Sequence, residues 1–400
     1  MSQAEGEKTY SKISVGLMIT AVFLCMIITG FGNYKLVPMK LAIQDYFQAT
    51  DSAFGFLNTA AGWLTVICAV PMGFLVRKLR CNFSIIIGFS IAICGILIQV
   101  FTTNFPLFVI GRMVEGAGTG MVAIVTGSLI LTLVDRKHMS FWSSFMVFAG
   151  VIPSVIMGKG GTTLLLSFNL AFQNVFCMIG ILYAVIIVLW CLLVPFSLKI
   201  HGISSAVKPT REQTIRVIKN KSNWLISLAN IAFTGASITF MAYIIPFLVT
   251  KGIDQASAAS YYSYTTLIGL VSMIVFGFIS DKLKTKRKIA IMSFFAGAIA
   301  YTLLVFVPAG MIMVWVLVWG TLPRSIAGMT SASAADIVEV PSDIPIATSV
   351  KNTISQIGSI LIGILYGYTI QWFGYEVTIF IIAAEMVLGG ICWIYAKRVP

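Results

Sequence analysis

The sequence predicts an all-α membrane protein of twelve transmembrane helices, arranged as two pseudo-symmetric bundles of six. Three observations predict it. Charged residues make up only 10 % of the 400 residues against 58 % hydrophobic, with a mean hydropathy of +0.96, whereas a soluble domain carries roughly a quarter charged residues. Apolar runs near or above the ~20 residues that a spanning helix needs recur twelve times. Short patterns of the first half also return about 204 to 212 positions later in the second.

The runs fall at roughly 13–37, 53–76, 83–102, 105–134, 139–162 and 172–196, then 223–249, 258–280, 288–307, 310–335, 344–371 and 375–396. The chain divides into a first bundle over 1–196, a hydrophilic linker over 197–222 and a second bundle over 223–400. The polar stretch Met1 to Lys12 runs into the first span without a small-residue cleavage site and reads as a retained tail. Basic clusters follow the second span (Arg77, Lys78, Arg80), the fourth (Arg136, Lys137), the sixth (Lys199 to Lys221) and the eighth (Lys282 to Lys288). Basic loops mark the cytoplasmic side, so both termini are expected inside the cell and the protein in the cytoplasmic membrane. Placed this way, the net charge of +13 orients the chain in a lipid bilayer. It calls for no nucleic acid, and no nucleic-acid-binding motif interleaves with it.

Several function classes drop out. The seven cysteines have neither metal-ligand nor Cys-x-x-Cys spacing, and the two histidines, His138 and His201, sit in predicted cytoplasmic loops. No metal or other cofactor is expected. A membrane enzyme needs a nucleophile or metal constellation, and no Gly-x-Ser-x-Gly or Walker lysine loop is present. A sensor normally adds a soluble signalling domain, and none is seen.

The stretch that organises the chain is Leu107-Phe108-Val109-Ile110-Gly111-Arg112-Met113-Val114-Glu115-Gly116-Ala117-Gly118-Thr119-Gly120. An arginine and a glutamate one helical turn apart lie in an otherwise apolar run. An ionisable residue there marks a functional-site hypothesis, because it must face protein or a water-filled cavity. Pro323-Arg324-Ser325-Ile326-Ala327-Gly328 repeats the pattern: each arginine is followed four residues on by glycine. Gly73-Phe74-Leu75-Val76-Arg77-Lys78-Leu79-Arg80 likewise matches Gly277-Phe278-Ile279-Ser280-Asp281-Lys282-Leu283-Lys284.

On these residues the chain resembles the major facilitator superfamily over essentially its whole length. Gly277 to Lys282 with Lys286-Arg287-Lys288 is similar to the family's eighth-to-ninth-loop signature, and Arg112, Gly116 and Gly120 to its fourth-span signature. Gly150, Pro153, Gly158, Gly160 and Gly161 resemble, loosely, a glycine-proline pattern associated with antiporters. The resemblance implies alternating access, a substrate site between the halves, frequent proton coupling and a monomer. It also implies a gate in which an acidic residue after span two meets the start of span eleven. Here Arg77 stands where the second half has Asp281, and the start of span eleven is acidic, with Asp336, Glu339 and Asp343. The expectation is a charge-reversed inner gate, Arg77 against those three carboxylates, with Asp281 near the start of span five as its twin.

Depth sorts the remaining charges at ~1.5 Å per helical residue. Arg324 falls near mid-membrane, Lys351 roughly 10 Å from the inner end of span eleven, and Arg112 a similar distance from the outer end of span four. Lys35, Lys40 and Lys159 come near outer ends, where snorkelling accounts for them. Arg112, Arg324 and Lys351 face one deep acid close by, Glu115. Surplus positive charge in a low-dielectric cavity needs an anion, and arginine suits a carboxylate. Asn352 and Gln356 beside Lys351, with Asn230, Tyr34 and Tyr262, complete the candidate substrate site. Glu115 is the candidate proton carrier: its protonation would release Arg112 to the substrate. Glu385, in span twelve, is assigned a structural role.

The function predicted is secondary transport of a small organic anion, a mono- or dicarboxylate, by proton symport or anion exchange. A drug-efflux antiporter is the alternative, though exporters of cationic drugs carry membrane acids and this chain has more deep bases. The partners expected are the anionic substrate, a proton or counter-anion, and lipid.

Overall fold

The computed structural model describes residues 12–78, 81–133, 139–194, 211–283, 286–326 and 344–396, together with Met329, Thr330, Ser333 and Val338. Among the described residues every element is helical, and nine stretches are long and apolar enough to cross a bilayer. The last of these, Val350–Tyr395, contains two predicted spans. They join at Gly374, whose φ of 82° is open to a residue without Cβ. The second predicted span is the 28-residue helix Asp51–Lys78. The tenth begins as Ile312–Gly320 and is then interrupted. The twelve-helix, two-bundle reading fits this architecture.

The first span runs further than its sequence limits. Helix Lys12–Tyr34 continues through Lys35, whose N–H donates to the Phe31 carbonyl at 3.1 Å, into Leu36–Phe47. Leu36, Val37 and Met39 keep the run apolar, and Pro38 falls in the first turn of the second segment, where a missing N–H is best tolerated. Lys35 and Lys40 therefore stand on a helix wall and not in an outer loop. Both side chains are fully buried, so snorkelling does not account for them; Lys159, which is exposed, it still fits.

Small residues set the closest helix crossings, as membrane packing favours. A Cβ added at Gly116 would come within 2.2 Å of the Ala61 carbonyl oxygen, and one at Gly95 within 2.4 Å of the Glu115 nitrogen. Spans two, three and four thus meet around the turn that carries Arg112 and Glu115.

Among the described residues, spans five, seven and ten are broken at mid-course. Span five passes from Met139–Ile156, which contains Pro153, through a π turn at Met157–Gly161. Span seven passes from Lys221–Thr234 through a π turn at Gly235–Thr239 and a 3₁₀ turn at Phe240–Tyr243 to Ile244–Thr250. In span ten Thr321 leaves the helical region (φ −85°, ψ −113°) and a 3₁₀ turn, Leu322–Ser325, follows. Pro323 accounts for that break: it has no N–H to continue the ladder, and its ring crowds the carbonyl of the residue four before it. Arg324 consequently rides on a tight turn, so a uniform helical rise does not fix its depth.

The two halves close on each other at the end remote from the termini. A Cβ on Gly55 of span two would lie 2.6 Å from the Gly363 carbonyl oxygen of span eleven, and Ser52 donates to Gln371 Oε1 at 2.6 Å. Lys40 Nζ pairs with Asp51 at 2.6 Å, contacts the Tyr375 hydroxyl at 3.3 Å and lies 4.1 Å from the centre of the Tyr243 ring. Within the predicted linker, helix Arg211–Lys219 buries Val217 against Ala347 of span eleven. Of the expected gate, Asp336, Glu339 and Asp343 lie outside the described residues. Arg77 and Asp281 lie on described helices, but their side chains are outside the described part of the structure.

Candidate functional site

Glu115 is fully buried at the junction of spans one, three, four and six, and four donors converge on its carboxylate. Lys35 Nζ lies 2.8 Å from Oε2, Arg112 Nη1 2.9 Å and Gln99 Nε2 2.9 Å, while the Tyr183 hydroxyl donates to Oε1 at 3.3 Å. Lys35 also sits over the Phe176 ring at 4.1 Å. Gly32 makes room for the cluster, since a Cβ there would overlap the Tyr183 hydroxyl at 1.9 Å. The same Arg112 nitrogen donates to the Gly32 carbonyl at 2.9 Å, and its Nη2 to the Asn33 carbonyl at 3.5 Å. Burying a charge without a partner costs several kcal/mol, so this many donors around one carboxylate fits an anion holding two cations. The cluster still carries one more positive charge than negative.

Arg112 faces a cavity of about 450 Å³ between the two halves, within the size range of small-molecule sites. From the first bundle it is lined by Asn33, Tyr34, Asn58, Gly62, Arg112 and Ser154. The second bundle adds Thr234, Ser237, Tyr262, Thr266, Arg324 and Gln356, among others. Arg324 reaches it because Gly269 of span eight leaves space: a Cβ there would be 2.8 Å from Arg324 Nε. Its Nη1 donates to the Ser237 carbonyl at 3.2 Å, an acceptor turned out by the π turn of span seven. A guanidinium has five N–H donors, and among the described residues this is the one hydrogen bond that Arg324 donates. The Ser237 hydroxyl, 5 % exposed, has no partner among the described residues. No aspartate or glutamate occurs among the described residues of this lining.

Of the sequence-predicted substrate residues, Arg112, Arg324, Tyr34, Tyr262 and Gln356 come together here. Three do not. Lys351 is buried, and its Nζ donates to the Thr330 carbonyl of the interrupted span ten at 2.5 Å. Asn352 is exposed one turn from Gln356, on the terminus-side half of the helix. Asn230, half-buried, lies one turn before Thr234, whose hydroxyl donates to its carbonyl at 2.9 Å. Glu115 lies behind Arg112 and not in the lining.

Sequence reasoning missed Lys35, Gln99 and Tyr183 as partners of Glu115. The available signal was the unbroken apolar run past Lys35, which places that lysine inside a helix.

Comparison with known proteins agrees with this fold. Residues 22–335 match the Major Facilitator Superfamily. The chain is similar to a probable sugar efflux transporter of Mannheimia succiniciproducens, with 21 % identity over 345 residues that cover 82 % of this chain and 81 % of that one. It is also similar to the proton-coupled antiporter flippase LtaA of Staphylococcus saprophyticus, with 22 % identity over 279 residues that cover 67 % and 66 %. Among solved structures, a bacterial homolog of the human lysosomal transporter Spinster superposes with a TM-score of 0.79 at 15 % identity, covering 98 % of both chains. A D-xylose-proton symporter superposes with a TM-score of 0.79 at 14 % identity, covering 96 % of this chain and 98 % of that one.

Proposed function

The chain belongs to the Major Facilitator Superfamily, a family of membrane transporters and not of enzymes, and on that premise we propose that it carries a small organic anion, a mono- or dicarboxylate. One observation carries the reading. Arg112 from the first bundle and Arg324 from the second face a single cavity, and no carboxylate among the described residues lines it. A carboxylate there would accept charge-assisted hydrogen bonds from both halves at once. Binding would then draw the bundles together around the cargo, which is what alternating access requires. A cavity of this charge disfavours the cationic compounds of the drug-efflux alternative.

When Arg112 swings toward cargo, Lys35 stays on Glu115, so the carboxylate keeps a counter-charge without taking up a proton. Glu115 then acts as the fixed anion that positions two cations. The transport cycle places both termini in the cytoplasm, works in a monomer, and closes its inner end through Arg77 with Asp336, Glu339 and Asp343, mirrored at Asp281. Coupling is to a proton or to a counter-anion.

A second reading, a neutral polyhydroxy cargo, has its own support. Asn58, Gln356, Thr266 and the unpartnered Ser237 hydroxyl offer amide and hydroxyl groups to the cavity, and two similar proteins are named for sugars. Thermal unfolding of the purified protein with mono- and dicarboxylates, hexoses and pentoses separates them. A ligand at 100 times its Kd stabilises by about 2.7 kcal/mol. The anion reading expects stabilisation by a carboxylate that disappears in Arg324→Gln; stabilisation by a neutral sugar alone overturns it.

A further inference from the structure

Glu385, in the second half of helix Ile344–Tyr395, is a membrane carboxylate that the reading above does not use. It is half-buried and accepts a hydrogen bond from the Tyr366 hydroxyl of span eleven. Tyr366 is itself fully buried. Among the described residues Glu385 has no cation within ion-pair distance, whereas Glu115 has two. Among the described residues the one titratable group on it is Tyr366, with Tyr301 of span nine in electrostatic range behind that phenol. A carboxylate held by one phenol has room to take up a proton; one surrounded by two cations, an amide and a phenol does not.

Both phenols reach the π turn of span seven. A Cβ added at Gly235 would lie 3.1 Å from the Tyr366 hydroxyl oxygen, and Tyr301 donates to the Ala236 carbonyl at 2.5 Å. The next carbonyl, that of Ser237, accepts from Arg324. Three consecutive residues thus contact, in order, the phenol bonded to Glu385, a second phenol, and the cavity guanidinium. A π turn is a local departure from the helical ladder and marks functional sites more often than chance.

We propose that Glu385 is the proton-carrying carboxylate of this transporter, and that the turn Gly235–Ser237 transmits its protonation state to Arg324. The proposal rests on the transport reading and assigns its coupling site. Ionised Glu385 accepts a hydrogen bond from the Tyr366 hydroxyl. Once it takes a proton from water, the carboxyl has one to donate, and Tyr366 is freed to accept or to turn toward Gly235. The proton returns to water on the other side. One proton taken up with a monocarboxylate leaves the loaded protein with no added charge, and with a dicarboxylate one negative charge.

Infrared difference spectra of the full chain in liposomes, between weakly acidic and alkaline buffer, both well above the pKa of about 4 of exposed carboxylates, and without substrate, test this. A protonated-carboxyl band should be present in the natural protein, lost in Glu385→Gln and shifted in Tyr366→Phe. It should persist when Lys35→Met and Glu115→Gln are combined. A band that survives Glu385→Gln, or no titrating carboxyl band at all, overturns the assignment. If Glu385→Gln does not fold, an unshifted band in Tyr366→Phe overturns it instead. Because no cargo is needed, this outcome is independent of whether a carboxylate proves to be the substrate.

Discussion

Lys35 Nζ lies 2.8 Å from Glu115 Oε2, with both side chains fully buried. Eighty residues apart in sequence, they bring a lysine of span one onto the same carboxylate as Arg112 of span four. The carboxylate thus serves two cations, and the consequences of removing each member differ.

Glu115→Gln leaves two buried cations facing one another, while Lys35→Met leaves Glu115 with Arg112, Gln99 and Tyr183. Breaking a buried ion pair costs about 3–5 kcal/mol. Thermal unfolding in detergent should show Glu115→Gln as the more destabilised, with Lys35→Met added to it recovering part of the loss. Lys35→Met falling as far as Glu115→Gln would show that the lysine, and not the glutamate, is the centre of the cluster.

Two glycines should separate stability from function. At Gly116 a methyl group meets the Ala61 backbone at 2.2 Å, so Gly116→Ala must part spans two and four. Overpacking of this kind costs about 1–3 kcal/mol. At Gly269 the obstacle is the flexible Arg324 side chain, so Gly269→Leu should displace the guanidinium and cut transport at least tenfold while leaving the unfolding temperature nearly unchanged. Equal loss of stability in both variants would contradict the placement of Arg324 on Gly269.

The closed end predicts a cross-link. Ser52 and Gln371 hydrogen-bond across the two halves at 2.6 Å. Cysteines at both positions, joined by a short thiol-reactive linker, should hold the bundles shut and stop transport until the linker is cleaved. Undiminished transport by fully cross-linked protein would show that this end does not open during the cycle.

Much of the fold was legible because membrane thickness imposes it. Run length and basic-loop alternation place most helix limits within a few residues, and the repeated arginine-glycine pattern locates the two cations that meet in the cavity. Pro323 foretells the break in span ten, yet only the folded chain shows that the break carries Arg324 to the cavity and leaves the Thr330 carbonyl for Lys351. An apolar run that ends at Val37 puts Lys35 and Lys40 at a span end, whereas the helix continues and buries both. A buried lysine and a snorkelling one are spelled alike, and only partners far along the chain tell them apart. The π turns of spans five and seven have no sharp signal in composition. The contact of Glu385 with Tyr366 depends on the fold-back at Gly374, where helix-period reasoning ends.

The most direct test of the account is counterflow in proteoliposomes: liposomes loaded with an unlabelled compound, labelled tracer outside, and panels of carboxylates and neutral sugars compared in natural and Arg324→Gln protein. The account predicts tracer accumulation with at least one mono- or dicarboxylate, reduced by tenfold or more in Arg324→Gln. Accumulation of a neutral sugar alone, at the same rate in both proteins, would contradict it.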